Sequence, residues 1–256
     1  MRSILLLLCG ALVAIGAFVA AGATSPVRLA TSPALDDASG SPALARNIRA
    51  YLMANPEVLV EAMQELERKQ DNQRDTQAVK AIQQNQAELL QDSETPSTGN
   101  LNGDVTIVEF SDYQCPYCKK AHAAIKSVIA SDGKVKLVYK DLPILGEASK
   151  IAAVAALASI KQGKHDAFHD ALMTNTAKLD SDRIFDIAGS VGIDVAQLKK
   201  DMEDPKIKAT IDRNMALAQD LGVRGTPAFV IGKQFVPGAV EADALKQLIA
   251  DARKGS

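Results

Sequence analysis

Two cysteines separated by two residues are the side chains of this sequence best suited to chemistry. They lie in the run Cys115-Pro116-Tyr117-Cys118, and the remaining cysteine, Cys9, lies in an apolar N-terminal segment. Two thiols at this spacing can close into a disulfide and reopen. The run therefore predicts thiol–disulfide exchange, carried by a redox-active Cys115–Cys118 disulfide and needing no separate cofactor.

The segments on either side are expected to place this pair at the start of a helix. Residues 105–110 are an apolar run that predicts a buried strand. The pattern after the pair predicts a helix that ends at Gly133. Pro116 suits the first helical position, so that Cys115 becomes the N-cap.

The N-cap position gives the two cysteines different roles. There the sulfur of Cys115 faces free backbone N–H groups, among them that of Cys118, and the positive end of the helix dipole. Both favour the thiolate. We therefore expect Cys115 to be the exposed nucleophile that attacks a substrate disulfide, and the more buried Cys118 to resolve the mixed disulfide.

Metal or haem binding is the alternative use of closely spaced cysteines. Zinc needs further ligands, and the sequence has no second such pair and only His122 nearby. Haem attachment needs a histidine directly after the second cysteine, where this chain has Lys119. His165 and His169 lie four residues apart, a spacing found in metal sites, but no third ligand is evident. We interpret them as helix-surface histidines and expect no metal site.

Glu109 is a candidate for proton transfer in the same site. It lies in the centre of the predicted apolar strand, where a carboxylate is costly unless it has a task. We interpret it as a buried proton acceptor for Cys118. The alternative is a strand position that reaches solvent.

Thr226 and Pro227 are candidates for substrate binding. They precede a predicted strand, and a proline there is a good site for a cis peptide bond. A cis proline leaves the Thr226 backbone free to pair with an extended peptide; the alternative is a plain trans turn. We also assign Pro116 and Tyr117, between the cysteines, to the substrate-binding surface.

Composition and the N-terminus restrict the class of protein. The 256 residues are 47% hydrophobic, enough for one full domain plus extra elements. The net charge of -2 gives no electrostatic reason to expect nucleic acid as a partner. Arg2, an apolar run and Ala21-Gly22-Ala23 predict a cleaved signal peptide over residues 1–23, hence a periplasmic location. The alternative is an uncleaved anchor, since about 20 apolar residues can cross a bilayer.

The region ahead of the cysteines is predicted to form an association segment. Residues 24–43 contain three Ser-Pro dipeptides and are expected to be a flexible tether. Residues 44–90 have helical periodicity, interrupted where Asn55 is the predicted N-cap of a second helix. Its apolar stripe is thin, and such a helix is marginal alone. We therefore expect it to meet copies of itself in an oligomer; the alternative is a solvated helix on the domain surface. Residues 91–102 are expected to be a linker.

The rest of the chain, residues 103–256, is predicted to be one α/β domain. Further strands are expected at 134–140, 228–231 and 235–236 and a final helix at 241–252, with a long helical insertion over about 147–222. Within the insertion, Asp194 and Asp204 are predicted helix caps.

These features together resemble a known family. Glu109, the cysteine run, the helical insertion and Thr226-Pro227 resemble the DsbA branch of the thioredoxin superfamily, over about residues 103–254. The resemblance implies an α/β thioredoxin fold with a large helical insertion. It matches Cys115 to the nucleophile, Cys118 to the resolving thiol, Glu109 to the buried acid and Pro227 to the cis-proline.

The N-terminal region resembles a second group. Residues 47–59 are similar to the N-terminal region of the ScsC family, suppressor of copper sensitivity protein C. Members with an extended N-terminal region form trimers and act as isomerases kept reduced by a membrane partner, ScsB. Thr226 matches the residue found before the cis-proline in isomerases, whereas the oxidase DsbA has Val there. Cys-Pro-Tyr-Cys itself occurs in ScsC and DsbG relatives and does not separate the two activities.

The residues and the resemblance lead to one prediction with two alternatives. We predict a periplasmic thiol–disulfide oxidoreductase that acts as an oligomeric disulfide isomerase on misfolded or reduced secreted proteins. The resemblance implies a homotrimer and a membrane reductase similar to ScsB or DsbD as redox partner. One alternative is a monomeric DsbA-like oxidase. The other is a copper(I)-binding protein of copper tolerance, since soft thiolates suit that ion.

Overall fold

The computed structural model describes residues 41–92 and 94–255. The predicted signal peptide over residues 1–23 lies outside the described residues, and so does the predicted tether up to residue 40. The chain divides after Ala62 into two compact units. In the part of the chain that the structure describes, no helix is both long and apolar enough to cross a membrane.

Two helices contain most of the N-terminal region. Helix α1 covers Pro42–Ala54 and helix α2 covers Glu57–Gln84. Asn55 lies between them, and its carbonyl accepts from Val58 N at 3.2 Å at the start of α2, but its side chain does not cap that helix as predicted. Its side-chain amide instead donates to the Tyr51 carbonyl at 2.9 Å, so that it closes the end of α1. An Asn between two helices can bond in either direction, and the sequence does not say which.

A five-stranded sheet is the centre of the second unit. Its strands are β1 Ser97–Gly99, β2 Val105–Ser111, β3 Val135–Asp141, β4 Ala228–Ile231 and β5 Gln234–Pro237. The order across the sheet is β1-β3-β2-β4-β5, with β2 and β3 parallel and every other pair antiparallel. The strands predicted at 105–110, 134–140, 228–231 and 235–236 are confirmed.

Strand β1 lies within the segment that was expected to be a linker, residues 91–102. It pairs with β3 at the edge of the sheet, with Ser97 opposite Val138 and Gly99 opposite Lys136. Gly99 has φ 77°, and a Cβ there would lie 2.5 Å from the carbonyl oxygen of Val135. Three residues without an apolar pattern carry no strand signal, because backbone atoms alone make this pairing.

Helices surround the sheet and form the insertion. After α3 Gln86–Leu90, the helix of the cysteine pair is α4 Pro116–Asp132, which ends at Gly133 as predicted. The insertion contains α5 Glu147–Ala158, a 3-10 helix Ser159–Gln162, α6 His165–Thr174, α7 Ser181–Ser190, α8 Val195–Asp201 and α9 Pro205–Asp220, and α10 Ala242–Lys254 follows the sheet. The Asp194 side chain accepts from Gln197 N at 3.0 Å, and that of Asp204 from Lys206 N at 3.0 Å, so both predicted caps are confirmed.

The alternation of β2 and β3 separates two apolar layers. Ile107, Leu137 and Phe229 pack on the side of α4 and α10. Val108, Phe110 and Val138 pack on the opposite side, with residues of α2, α3 and α9. The insertion has its own core around the Ala-rich helix α5. The expected α/β fold with a large helical insertion is confirmed, and Glu109 lies on the α4 side because it alternates in step with Ile107.

Candidate active site

The two cysteines lie at the start of α4, a short loop after the end of β2. Cys115 is the N-cap, with extended backbone angles of φ −74° and ψ 118°, and Pro116 is the first residue of the helix, as predicted. Both cysteines are free thiols. Cys115 keeps 4% of its surface exposed and Cys118 none. The prediction of an exposed Cys115 is therefore wrong, although Cys115 is the more accessible of the two.

The Cys115 thiol is covered by the loop that contains the proline. It donates a hydrogen bond to the carbonyl oxygen of Thr226 at 3.1 Å, and the Thr226–Pro227 peptide bond is cis, as predicted. Within the described residues, the Cys115 side chain makes no capping bond to the helix N–H groups that were expected to face it. The thiol instead bonds to a carbonyl acceptor that is distant in sequence and that no local pattern could reveal.

Cys118 is a thiol that keeps its proton. Burial raises its pKa well above the ordinary value, and the negative charges of Cys115 and Glu109 act in the same direction. A hydrogen bond from the Thr226 side chain opposes this increase. Since only a thiolate attacks a disulfide, Cys118 needs a base close by before it can react.

Glu109 is a buried acid within electrostatic reach of Cys118. It is 1% exposed, so the alternative of a solvent-reaching strand position is wrong. Burial first, and then the charge of Asp141, raise the pKa of Glu109 to about 8. Its Oε2 atom has no hydrogen-bond partner among the described residues. A carboxyl group with such a pKa can take up and release a proton near neutral pH.

Asp141 is a buried carboxylate that the sequence reasoning missed. It is 1% exposed at the end of β3, and burial raises its pKa to about 6. Val135, Leu137 and Tyr139 alternate along β3 with the same period, which places Asp141 on their buried face. That alternation was the available signal, since a charged residue on the apolar side of a strand is costly.

The histidines are also buried, and their interpretation as helix-surface residues is wrong. His165 and His169 face the sheet from α6, with the His169 ring centroid 4.2 Å from that of Tyr139. The Tyr113 hydroxyl lies 3.0 Å from Nδ1 of His169. His122 pairs through Nε2 with Asp170 at 2.7 Å. Among the described residues, no group of three or more His, Cys, Asp or Glu side chains is arranged to hold a metal ion.

The surface next to the cysteines offers an aromatic side chain and a groove. Tyr117, between the two cysteines, is 64% exposed. A groove of about 910 Å³ lies beside the cis-proline loop, lined by Thr226, Pro227, Phe235, Asp71, Arg74 and Asp75. The last three belong to α2, so that this helix contributes one wall of a groove that begins at the loop covering the nucleophile.

Comparisons with known proteins agree with this geometry. Residues 106–250 match the family model of the DSBA-like thioredoxin domain, and residues 43–73 match that of the copper resistance protein ScsC N-terminal domain. A thioredoxin-like oxidoreductase from Silicibacter pomeroyi is 48% identical, with a TM-score of 0.65 over 66% of this chain and 98% of that chain. Proteus mirabilis ScsC in a transitional conformation is 30% identical, with a TM-score of 0.64 over 86% of this chain and 100% of that one.

One curated relative matches this chain over most of its own length, and two others match over a small part of theirs. The probable disulfide bond formation protein D of Bacillus cereus is 30% identical, over 63% of this chain and 80% of that protein. Two Na⁺/H⁺ antiporters NhaA, from Salinispora tropica and Salinispora arenicola, are each 26% identical. The chain spans 24% of the length of these antiporters, so the likeness concerns one part of them.

Proposed function

Because the chain belongs to the family of DSBA-like thioredoxin domains, whose members are thiol–disulfide oxidoreductases, we propose that it is an oligomeric disulfide isomerase of the periplasm. The observation that carries the proposal is a set of exposed apolar side chains in the segment that matches the ScsC N-terminal domain. Leu44, Ile48, Tyr51, Met53, Leu59 and Val60 are each between 50% and 72% exposed. Exposed apolar side chains at this density mark an association surface.

The first chemical step is the attack of Cys115 on a substrate disulfide. The Cys115 sulfur forms a bond to one substrate sulfur, the substrate S–S bond breaks, and the other substrate sulfur leaves as a thiolate. In isomerisation a substrate thiolate then attacks elsewhere in the same client and finally releases Cys115. No net electrons are transferred, so the pair must remain reduced between clients.

Cys118 releases Cys115 from a client whose disulfides do not rearrange. Glu109 takes the proton of Cys118, the resulting thiolate forms a bond with the Cys115 sulfur, and the bond to the client breaks, so that the client sulfur leaves as a thiolate. The disulfide left on the enzyme then requires reduction. We propose a membrane reductase similar to ScsB or DsbD for this step, with export through the predicted signal peptide placing the protein beside it.

The groove beside Thr226 supports polypeptides as substrates. Its volume of about 910 Å³ is larger than one side chain needs, and its walls are part apolar and part charged. An extended segment of a misfolded or reduced secreted protein placed there would bring its cysteine next to Cys115, because the Thr226 carbonyl already contacts that sulfur. This supports Thr226, Pro227 and Tyr117 as substrate-binding residues.

An oligomer would hold several Cys115 thiols around one client. The resemblance to the ScsC family implies a trimer. In the N-terminal unit, a cavity of about 500 Å³ lined by Ile48, Leu52, Leu59 and neighbouring residues could receive side chains of a second copy. Such burial would remove apolar surface from water at about 25 cal/mol per Å².

The test is a full-length Ile48→Glu variant with Arg46→Glu as its control. Ile48 is an exposed apolar residue of α1, whereas Arg46 is an exposed polar one. We expect Ile48→Glu to lower the mass in solution to that of a monomer and to abolish reactivation of a scrambled-disulfide substrate. The control should keep both properties. A monomeric wild type, or a monomeric variant with full isomerase activity, would contradict the proposal.

A monomeric oxidase is the second candidate, favoured by the likeness to the probable disulfide bond formation protein D of Bacillus cereus. The redox state of Cys115 and Cys118 in cells separates the two. Reduced thiols support the isomerase and a disulfide supports the oxidase. Copper(I) binding by the reduced pair, suggested by the name of the matched N-terminal family, is tested by titrating copper(I) into the wild type and into Cys115→Ser.

A further inference from the structure

A cluster of buried titratable side chains lies below the cysteines, and thiol exchange as described uses only one of them. We name it the internal acid–base cluster; its members are Glu109, Tyr113, Asp141, His165 and His169. All are 6% exposed or less. They come from β2, the loop before α4, β3 and α6, so that the fold and not a local motif brings them together.

Several buried polar atoms of the cluster have no hydrogen-bond partner among the described residues. The atoms without a hydrogen-bond partner in the described part of the chain include Glu109 Oε2, both carboxylate oxygens of Asp141, both ring nitrogens of His165, and His169 Nε2. Buried polar atoms are nearly always bonded, because an unsatisfied one is costly. Six such atoms therefore lie on side chains that the fold gathers below the cysteines.

Two members of the cluster lie on one face of the sheet. In the parallel pair of β2 and β3, Glu109 is opposite Tyr139 and Ser111 is opposite Asp141. Glu109 and Asp141 therefore share a face, with Cα atoms about 8 Å apart from the strand spacing and rise. Burial raises the pKa of both Glu109 and Tyr113, and the charge of Asp141 raises both further.

The far end of the cluster reaches a second cavity. The Tyr113 hydroxyl contacts His169 Nδ1 at 3.0 Å. His169 lines a cavity of about 400 Å³ together with His122, Asp166 and Asp170, and the Asp170 side chain is 38% exposed. This cavity shares no lining residue with the groove beside Thr226. The end of the cluster formed by Tyr113 and His169 therefore lies at a cavity separate from the groove beside Thr226.

We propose that the internal acid–base cluster is a proton route that carries the proton of Cys118 from Glu109 to the α6 cavity while a polypeptide covers the Thr226 groove. The route rests on the proposed thiol exchange. A client bound along the groove closes the direct path from Cys118 to solvent. A second path would let Glu109 lose its proton before the client leaves.

Release of the client moves one proton away from Cys118 and replaces the client–Cys115 bond with a Cys115–Cys118 bond. The Cys118 thiol gives its proton to the Glu109 carboxylate, the Cys118 thiolate forms a bond with the Cys115 sulfur, and the client sulfur leaves with the electron pair of the broken bond. The proton then moves from Glu109 to Asp141, and through Tyr113 and His169 to water at the cavity. Water bridges such gaps between buried polar groups.

The surroundings of His169 favour its neutral form. Burial lowers the pKa of His169 well below its ordinary value, and the charges of His165, His122 and Lys126 lower it further. Because its charged form is disfavoured, a proton that reaches the neutral ring of His169 is readily released to water at the cavity. The titratable or charged groups around the cluster, element by element, are Cys118, His122 and Lys126 of α4, Asp112 of the preceding loop, Tyr139 of β3, and Asp166 and Asp170 of α6.

The test compares release of two mixed disulfides from Cys115, one with glutathione and one with an unfolded polypeptide. Tyr113→Phe removes the hydroxyl that contacts His169 and keeps the ring. We expect it to slow release of the polypeptide by roughly tenfold or more and to leave release of glutathione unchanged, because glutathione does not close the groove. His169→Gln, which can bond to Tyr113 but cannot carry a proton, should behave as Tyr113→Phe does.

Asp141→Asn and a control complete the experiment. Asp141→Asn removes the charge that raises the pKa of Glu109, so the pH profile of release should move to lower pH for both substrates. It also removes the group that receives the proton of Glu109, so release of the polypeptide, and not of glutathione, should slow. Ser111→Ala, opposite Asp141 on the same face, should match the wild type. Equal slowing of both substrates by Tyr113→Phe and His169→Gln, or no slowing, would overturn the route. A wild type that releases both substrates but fails to isomerise contradicts the proposed function and leaves the route intact.

Discussion

Replacing Glu109 with Gln should make the folded protein more stable and less active. The side chain is fully buried, and its pKa rises from 4.5 to about 8 in the folded protein. Between these two values the folded state holds a proton that the unfolded chain releases. Folding stability therefore falls as the pH rises through this window. Gln has no proton to hold and carries no such penalty.

The size of the effect follows from the pKa change. Each pH unit above 4.5 costs the wild type about 1.4 kcal/mol relative to Glu109→Gln. The difference in the free energy of unfolding should be close to zero at pH 4.5, about 3 kcal/mol at pH 7, and constant at about 5 kcal/mol above pH 8. A buried amide and a buried protonated carboxyl group have similar desolvation costs, so other terms nearly cancel.

The assay is urea denaturation of both proteins at a series of pH values. Glu67→Gln, at an exposed position of α2, is the matched control and should follow the wild type throughout. Resolution of a Cys115 mixed disulfide should be about a hundredfold slower in Glu109→Gln, because the base of Cys118 is lost. A stability difference that stays the same from pH 4.5 to pH 9 would refute the reasoning, since a packing change alone has no such pH dependence.

Three further substitutions test other contacts. Thr226→Val removes the side-chain hydrogen bond that lowers the pKa of Cys118. It should slow resolution of the mixed disulfide about fivefold, because one hydrogen bond contributes about 1 kcal/mol. Equal rates in Thr226→Val and Thr226→Ser would contradict this. Lys140→Met leaves Asp92 without the ammonium group 2.9 Å away and should lower the free energy of unfolding in urea by about 3 kcal/mol. The double variant Lys140→Met with Asp92→Asn should recover much of that loss. Gly99→Ala places a Cβ 2.5 Å from a backbone oxygen of β3 and should cost about 2 kcal/mol; an unchanged urea midpoint would mean that β1 contributes nothing to the sheet.

Features that depend on neighbouring residues could be predicted from the sequence. The apolar run before the cysteines predicts β2, Pro116 places Cys115 at the N-cap, and Gly133 ends α4 with φ 69°. The cis bond at Pro227 belongs to the same class, because a Gly and a Pro before an apolar run restrict the local backbone.

Features that depend on docking between distant segments could not be predicted. The burial of Cys115 results from the Thr226 carbonyl, 111 residues away. His165 and His169 are four residues apart on α6, and whether that face meets solvent or the sheet depends on how the insertion packs. A helix with polar residues on one face is ordinarily solvated there, and Tyr113 and Tyr139 reverse that expectation by supplying an aromatic surface with a hydroxyl partner.

The register of β2 and β3 determines the chemistry of Glu109. Because Val105 is opposite Val135, Asp141 lies on the face of Glu109, and Lys140 lies on the other face, bonded to Asp92 and Thr95. A shift of one residue would reverse the faces of β3. Lys140 would then lie beside Glu109, and its positive charge would lower the pKa of that carboxyl group instead of raising it. A permanently ionised Glu109 would be a poor base near pH 7 for so weakly acidic a thiol as Cys118. The apolar pairs that fix this register, Ile107 with Leu137 and Val108 with Val138, therefore help to set the pKa of the proposed base Glu109.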